Sequence, residues 1–447
     1  MKDILKKIIA YILQIESRLV LYKYKPKVIA ITGSVGKTST KDAIFAVIST
    51  FSHVRKSEKS FNSEIGLPLT ILGCRNGWNS PIAWLENIFA GLWLAIYPHK
   101  YPSTLVLEVG VGKPGDMKRT ASWLKTDAVI MTAIGETPSH IEFFHSRKHL
   151  IEEKSQLLKT LNKTGILILN ADDKDIFPMK SKTKGRVVTY GFTSEADIVG
   201  SGESILYNKN GVPEGIIFRI DEEGKSFPVV IEGVFGRNHV YASLASLALV
   251  SALKLNMLEA INALKNYEAP PGRMRLLHGI NESLIIDDTY NSSPLACESA
   301  LKTLGDIKFP ESPEGSPKGR KIAILGDMLE LGRHTIEAHK NIGKIVTENL
   351  KGKDDVLIVV GPRAVDIKEG AIESGMQAKN IFSFLNSDEA EKFVKTFIQN
   401  GDILLVKGSQ GMRMERVVEA ILLDQKNKEK LLVRQDPEWL KKPARKA

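Results

Sequence analysis

The chain has 447 residues, 43% hydrophobic and 26% charged, with a formal net charge of +10. That composition allows two or three soluble domains with sizeable cores and excludes a chain that is disordered overall. The positive balance suits polyphosphate and nucleotide substrates; with no zinc pattern, basic zipper or aromatic RNA-binding motif beside it, no nucleic-acid partner is expected.

Residues 1–26 come first. Leu5, Ile8, Ile9, Ile12 and Leu13 repeat at helical spacing, while Lys6, Lys7, Gln14 and Glu16 interrupt any signal-peptide reading. This is an amphipathic helix, with two fates: docking on the protein itself, which is favoured, or lying on a membrane surface. A second apolar stretch, Pro81–Tyr97, carries Trp84, Phe89 and Trp93 with Glu86 inside it. It is short for a membrane span, so it packs in a core or against another subunit, or meets a membrane interface. Segments 1–22 and 81–97 are thus the candidates for peripheral membrane contact.

Residues 27–269 read as one α/β domain. An apolar run, Lys27–Thr32, enters a glycine loop, and helical periodicity starts near Lys37. Further strand-like runs are Thr104–Val109, Ala128–Thr132, Gly165–Asn170 and Val187–Tyr190, with a helical stretch over Arg147–Leu161. Such alternation predicts a mainly parallel sheet covered by helices. From Asp197 to Glu232, short alternating runs separated by Asn210-Gly211 and Glu223-Gly224 predict a β-rich elaboration. Pro270-Pro271-Gly272 breaks the chain. Residues 270–425 then predict a second, Rossmann-like α/β domain, with strands near Leu284–Asp287, Lys321–Leu325, Val356–Val360, Ile381–Phe384 and Ile403–Val406. Pro310–Gly319 reads as a surface loop, and 426–447 as a basic, mobile tail. The two cysteines, Cys74 and Cys297, argue against a disulfide framework and fit a reducing, cytoplasmic compartment.

The strongest local signal is Gly33-Ser34-Val35-Gly36-Lys37-Thr38-Ser39. A glycine turn opening a helix brings backbone N–H groups and the helix dipole to a phosphate. Lys37 can reach the terminal phosphates and the Thr38 hydroxyl can bind Mg²⁺. Ile31 stands where the full phosphate-loop pattern has its first glycine, so the motif is a shortened Gly-x-x-Gly-Lys-Thr. Glu108, at a strand end, is a second candidate for Mg²⁺. His140 and Lys154 do not stand out on local chemistry; a lysine between acids usually makes surface ion pairs.

Taken together, ordered motifs resemble the Mur ligase family, and within it the MurF-type branch. They are Gly33–Thr40, Phe61–Pro68, Leu107–Gly110, Ser139–Glu142, Lys154, Leu169–Asp173, Pro271–Arg273, Asp287–Pro294, Leu325–Gly332 and Val406–Ser409. The resemblance implies an ATP-dependent ligase that joins a carboxylate to an amine through an acyl phosphate, adding D-alanyl-D-alanine to the nucleotide-sugar peptide UDP-MurNAc-tripeptide in peptidoglycan precursor synthesis. It implies that Lys37 binds the β- and γ-phosphates of ATP, that Thr38 and Glu108 hold one Mg²⁺ and His140 a second, and that Lys154 is carbamylated by CO₂ into a carboxylate-like metal ligand or positioning group. It further implies that Arg273 reaches the γ-phosphate, that Asp288, Tyr290 and Asn291 face the nucleotide, and that Asn62 and Lys407 lie near the carboxylate and amine substrates. Two departures are evident. Only 32 residues precede Gly33, where the family carries a UDP-binding domain, so UDP is expected to be recognised elsewhere or the donor to differ: a lipid-linked, poly-amino-acid or folate-like carboxylate. The family's His-Asn pair also reads Asn238-His239, with Ala242 nearby in place of an asparagine. A non-catalytic nucleotide switch is the remaining alternative, and it has no need of the metal set.

Overall fold

The computed structural model describes residues 2–58, 61–135, 143–309 and 319–444. His140 and nearly all of Pro310–Gly319 lie outside them. The chain divides into two compact units, one of residues 1–203, 218–229 and 237–268, the other of 204–217, 230–236 and 269–447.

In chain order the first part of the molecule contains α1 (Lys2–Tyr24), β1 (Lys27–Thr32), α2 (Lys37–Ile48), β2 (Val54–Lys56), α3 (Gly66–Leu72), α4 (Pro81–Ile96), β3 (Thr104–Glu108), α5 (Asp116–Ala121), β4 (Thr126–Met131), α6 (Arg147–Ser155), β5 (Leu161–Asn170), β6 (Arg186–Gly191), β7 (Ile198–Tyr207), β8 (Pro213–Glu222), β9 (Lys225–Glu232), α7 (Arg237–Ala252) and α8 (Met257–Ala263). The sheet order is β2-β3-β1-β4-β5-β6-β7-β8-β9. From β2 to β7 every pairing is parallel. Parallel strands are buried on both faces, which is why Lys27–Thr32 is apolar without alternation. The core lies against this sheet, around residues such as Val28, Ala30, Leu105, Leu107, Val129 and Leu167.

Residues 269–444 contain β10 (Arg275–His278), β11 (Leu284–Asp288), α9 (Pro294–Asp306), β12 (Lys321–Gly326), α10 (Thr335–Asn349), β13 (Val356–Val360), α11 (Val365–Glu373), β14 (Ile381–Phe384), α12 (Ser387–Phe397), β15 (Ile403–Lys407), α13 (Glu415–Ile421), α14 (Lys428–Leu431) and α15 (Pro437–Leu440). The sheet order is β10-β11-β15-β12-β13-β14, parallel except for the β10–β11 pair.

Two expectations need correction. The helix expected over Arg147–Leu161 ends at Ser155; a 3₁₀ turn, Gln156–Thr160, leads straight into β5. The segment expected to be a mobile tail packs instead. Arg413 donates to the carbonyls of Trp439 and Lys442, and Leu432 is buried. The core packing expected of Pro81–Tyr97 holds for one face of α4: Trp84, Ile88, Leu94 and Ala95 pack against the core, Gly91 is its one buried residue, and the other face is exposed.

The N-terminal helix docks through Leu13 and Val20, which are fully buried. Gly91 lets α4 approach it closely, since a Cβ there would fall 2.2 Å from the Glu16 carboxylate. The C-terminus of α4 has no cation of its own, and α1 supplies one: Lys23 Nζ donates to the carbonyls of Leu94 and Tyr97 at 3.2 and 2.6 Å. The Tyr24 hydroxyl donates to the same two oxygens, and its ring stacks on Tyr101. These contacts satisfy orphan carbonyls and place positive charge at the negative end of the helix dipole.

Candidate active site

Gly33 follows the end of β1 with φ +148°, and a Cβ there would lie 2.0 Å from Thr132 Oγ1. Gly36 caps α2 with φ +83°. Both are positions where only glycine fits, one for close approach and one for its left-handed backbone. The amides of Ser34 and Val35 donate to the Ala133 carbonyl at 2.6 and 3.1 Å, and Thr132 Oγ1 donates to the Val35 carbonyl at 2.6 Å. The loop is therefore held against the end of β4.

Two lysines converge beneath it. Lys37 Nζ and Lys154 Nζ each donate to the Gly33 carbonyl at 2.9 Å. Lys154 is buried, contrary to the surface ion-pairing that its neighbours suggest, and the adjoining Glu153 turns inward to accept from the Met117 amide. Burial, aided by the charge on Lys37, pushes the Lys154 amine down to about 7. A fraction of it is neutral, and hence nucleophilic, at neutral pH.

Glu108 ends β3 and organises the third element. Thr38 Oγ1 donates to its Oε2 at 3.0 Å and Asn62 Nδ2 to its Oε1 at 3.0 Å, while its own amide donates to Ser57 Oγ. Gly110 leaves room for Asn62, whose Cγ would be 2.8 Å from a Cβ at that position. Phosphate and a hard cation fit this donor set. The buried Ser34 hydroxyl in the loop has no hydrogen-bond partner, and Thr38 and Glu108 offer oxygen ligands. Among the described residues no cluster of three His, Cys, Asp or Glu is present; Mg²⁺ bound by one carboxylate and substrate phosphates needs none. His140 lies outside the described residues.

The strand-end acids Asp172 and Asp173 are consumed structurally. Asp172 accepts from the amides of Phe192 and Thr193 and from the Tyr241 hydroxyl; Asp173 accepts from the amides of Ile134, Asp175 and Ile176. His239 is buried, with Nδ1 2.8 Å from the Tyr267 hydroxyl.

In the second unit, Asp288, Tyr290, Asn291, Arg273 and Lys407 come together around the end of β11. Lys407 Nζ donates to Asp288 Oδ2 at 2.6 Å and to the Asn291 carbonyl at 2.9 Å. The Arg273 guanidinium lies 3.8 Å from the Tyr290 ring centroid, a cation–π stack. Asp287 accepts from the Gly272 and Thr289 amides and the Thr289 hydroxyl, and burial pushes its carboxyl up to about 6. Sequence reasoning missed Arg434, which pairs with Glu415 at 2.7 Å and donates to the carbonyls of Thr289 and Tyr290. It missed Ser57 as well. Neither has a local signal, because each acts on backbone groups distant in sequence.

Two family models match the chain over most of its length: the Mur ligase middle domain over residues 31–250 and the Mur ligase, glutamate ligase domain over residues 272–410. The chain belongs to the Mur ligase family. Among relatives of this Mur ligase, the UDP-N-acetylmuramoyl-tripeptide--D-alanyl-D-alanine ligase of Bacillus subtilis is 28% identical over 416 residues, covering 92% of this chain and 79% of that protein. The Escherichia coli enzyme of the same name is 27% identical, covering 88% and 76%. Among solved structures, Thermotoga maritima MurF in complex with ADP aligns with a TM-score of 0.69 and 25% identity, over 94% of this chain and 84% of that one. MurF from Acinetobacter baumannii aligns with a TM-score of 0.72 and 21% identity, over 91% and 79%. The α/β fold expected from the sequence is thus the MurF fold, with a phosphate-loop middle domain and a C-terminal domain.

Proposed function

We propose that this Mur ligase is a MurF-type, ADP-forming ligase that adds D-alanyl-D-alanine to UDP-MurNAc-tripeptide. The observation that carries the reading is the Thr38–Glu108–Asn62 hydrogen-bonded set beside a phosphate loop whose lysine, Lys37, is in place. A binding module needs the loop alone; the organised carboxylate serves phosphoryl transfer.

A carboxylate does not acylate an amine unaided, because oxide is a poor leaving group. Transfer of the γ-phosphoryl group of ATP to the donor carboxylate releases ADP and leaves an acyl phosphate. The amine then attacks the acyl carbon, the C–O bond to phosphate breaks, and the amine loses its proton as the amide forms. In this proposal Lys37 and the loop amides from Gly33 to Ser39 bind the phosphates. Thr38 and Glu108 would hold one Mg²⁺ and His140 a second, and the metal when bound would neutralise charge on the transferring group. Asn62 orients Glu108 and faces the carboxylate substrate. Lys154, as a neutral amine, takes up CO₂: its nitrogen attacks the carbon and a proton leaves, giving a carbamate that would serve as a carboxylate-like metal ligand or positioning group. Arg273 serves the γ-phosphate, and Asp288, Tyr290 and Asn291 serve the nucleotide. Lys407 serves the amine substrate by shaping the loop it pins. The compartment is the cytoplasm, where Cys74 and Cys297 stay reduced, with the inner membrane face as the site of peripheral contact through 1–22 and 81–97.

Purified protein with MgATP, UDP-MurNAc-tripeptide and D-alanyl-D-alanine should release ADP and form a product of the summed mass, with each component required. Absence of turnover from protein that still binds MgATP would reject this donor and redirect the assignment to a Mur-family ligase using another carboxylate.

A further inference from the structure

We infer that α1 and α4 together form a platform that seats on an anionic lipid surface. Exposed on α1 is a stripe at helical spacing, Leu5, Ile8, Ile15 and Leu19. Exposed on α4 is a second, Ile82, Leu85, Phe89, Trp93 and Ile96, in which Phe89 is 69% and Trp93 55% exposed. Soluble surfaces scatter such residues singly; here two apolar stripes at helical spacing lie on helices held together through Lys23 and Tyr24. Among the described residues no helix is long and apolar enough to cross a membrane, so the arrangement suits helices lying in the interface plane, buried on one side.

Charge selects the occupant. Lys7, Arg18, Lys25 and Lys100 are exposed around the stripes, whereas among the described side chains Glu86 is the exposed acid within them. A second copy would bring the same excess of cations over acids to this surface rather than a complementary charge. An anionic headgroup layer pairs with all of them. Trp93, Tyr97, Tyr11 and Tyr22, all exposed, are the amphipathic rings that favour the level of the headgroups. The inference does not rest on the ligase assignment, because its readout is sedimentation rather than turnover.

The test is co-sedimentation of the full chain with phosphatidylcholine vesicles, with and without phosphatidylglycerol. The full chain is expected to pellet with the anionic vesicles and to be released as salt rises. Phe89→Asp combined with Trp93→Asp should weaken partitioning by about tenfold or more, given the apolar area lost. Ile336→Asp, at an exposed apolar site on α10, should leave it unchanged. ADP release in vesicle-free solution should be equal for all three proteins. As a check independent of any variant, tryptophan fluorescence of the unsubstituted chain should be quenched by brominated anionic lipid. A chain that stays in the supernatant and is not quenched overturns the inference. So does equal binding by the Phe89/Trp93 variant, or a dimer that dissociates with that variant while neither protein binds vesicles.

Discussion

Lys154 and Lys37 share an acceptor: both ammonium nitrogens lie 2.9 Å from the Gly33 carbonyl oxygen. Burial lowers the Lys154 amine first, and the neighbouring cation lowers it further, to about 7 from an ordinary 10.5. In the unfolded chain the same amine keeps its proton up to the higher value, so protonated Lys154 opposes folding. Lys154→Met is therefore expected to be more stable than the parent below pH about 7, with the advantage shrinking as pH rises toward 10.5. Urea midpoints across that range measure it; a variant less stable than the parent on the acid side would be incompatible with a costly buried ammonium.

Carbamate formation has its own signature. With isotope-labelled carbon dioxide, a carbamate signal on the protein is expected to grow as pH rises through about 7, where the amine becomes neutral. Lys154→Arg should lack it. Lys37→Met, which removes the neighbouring charge, should move its onset to higher pH. A signal unmoved by that substitution would show that the two amines are not coupled.

Asn62 holds Glu108 from the side opposite Thr38. Asn62→Ala is expected to weaken the Mg²⁺ dependence of ADP release by about 10- to 100-fold, the usual effect of losing a group that orients a metal ligand. A titration curve identical to that of the unsubstituted protein would remove Asn62 from this role.

The ion pair of Lys407 and Asp288 is buried, with Lys407 2% exposed. Lys407→Met leaves a buried carboxylate without its cation and should cost about 3–5 kcal/mol in urea unfolding. Adding Asp288→Asn should recover much of that loss, because the uncompensated charge goes with it. Additive losses in the double variant would mean the two side chains do not interact.

The sequence announces the phosphate loop because its chemistry requires glycine at Gly33 and Gly36 and a lysine directly after. The long apolar strands of both sheets are legible for the same kind of reason: a parallel strand must be apolar on both faces. The edge strands β2 and β10 escape notice because they are short and carry charge, Val54-Arg55-Lys56 and Arg275-Leu276-Leu277-His278, unlike the mostly apolar four residues of β14. Lys154 is hidden for a different reason. Its neighbours Glu152 and Glu153 spell a solvated helix, and only the distant Gly33 loop lying over it makes it a buried amine. The C-terminal segment misleads through composition: its cations look mobile, but its Arg434 meets Glu415 and two carbonyls, and Arg413 from outside it binds the Trp439 and Lys442 carbonyls. Family resemblance brought Lys154, Arg273 and Lys407 into the candidate set, which local pattern alone does not single out.

The central claim is that the donor carboxylate is activated by phosphorylation at the loop of Lys37 and Thr38. Heavy-oxygen label placed in the carboxylate of UDP-MurNAc-tripeptide tests it directly, with mass analysis of the phosphate released during turnover. One labelled oxygen carried into inorganic phosphate is expected, because the acyl C–O bond breaks when the amine attacks. Turnover in which the phosphate carries no label would contradict an acyl phosphate.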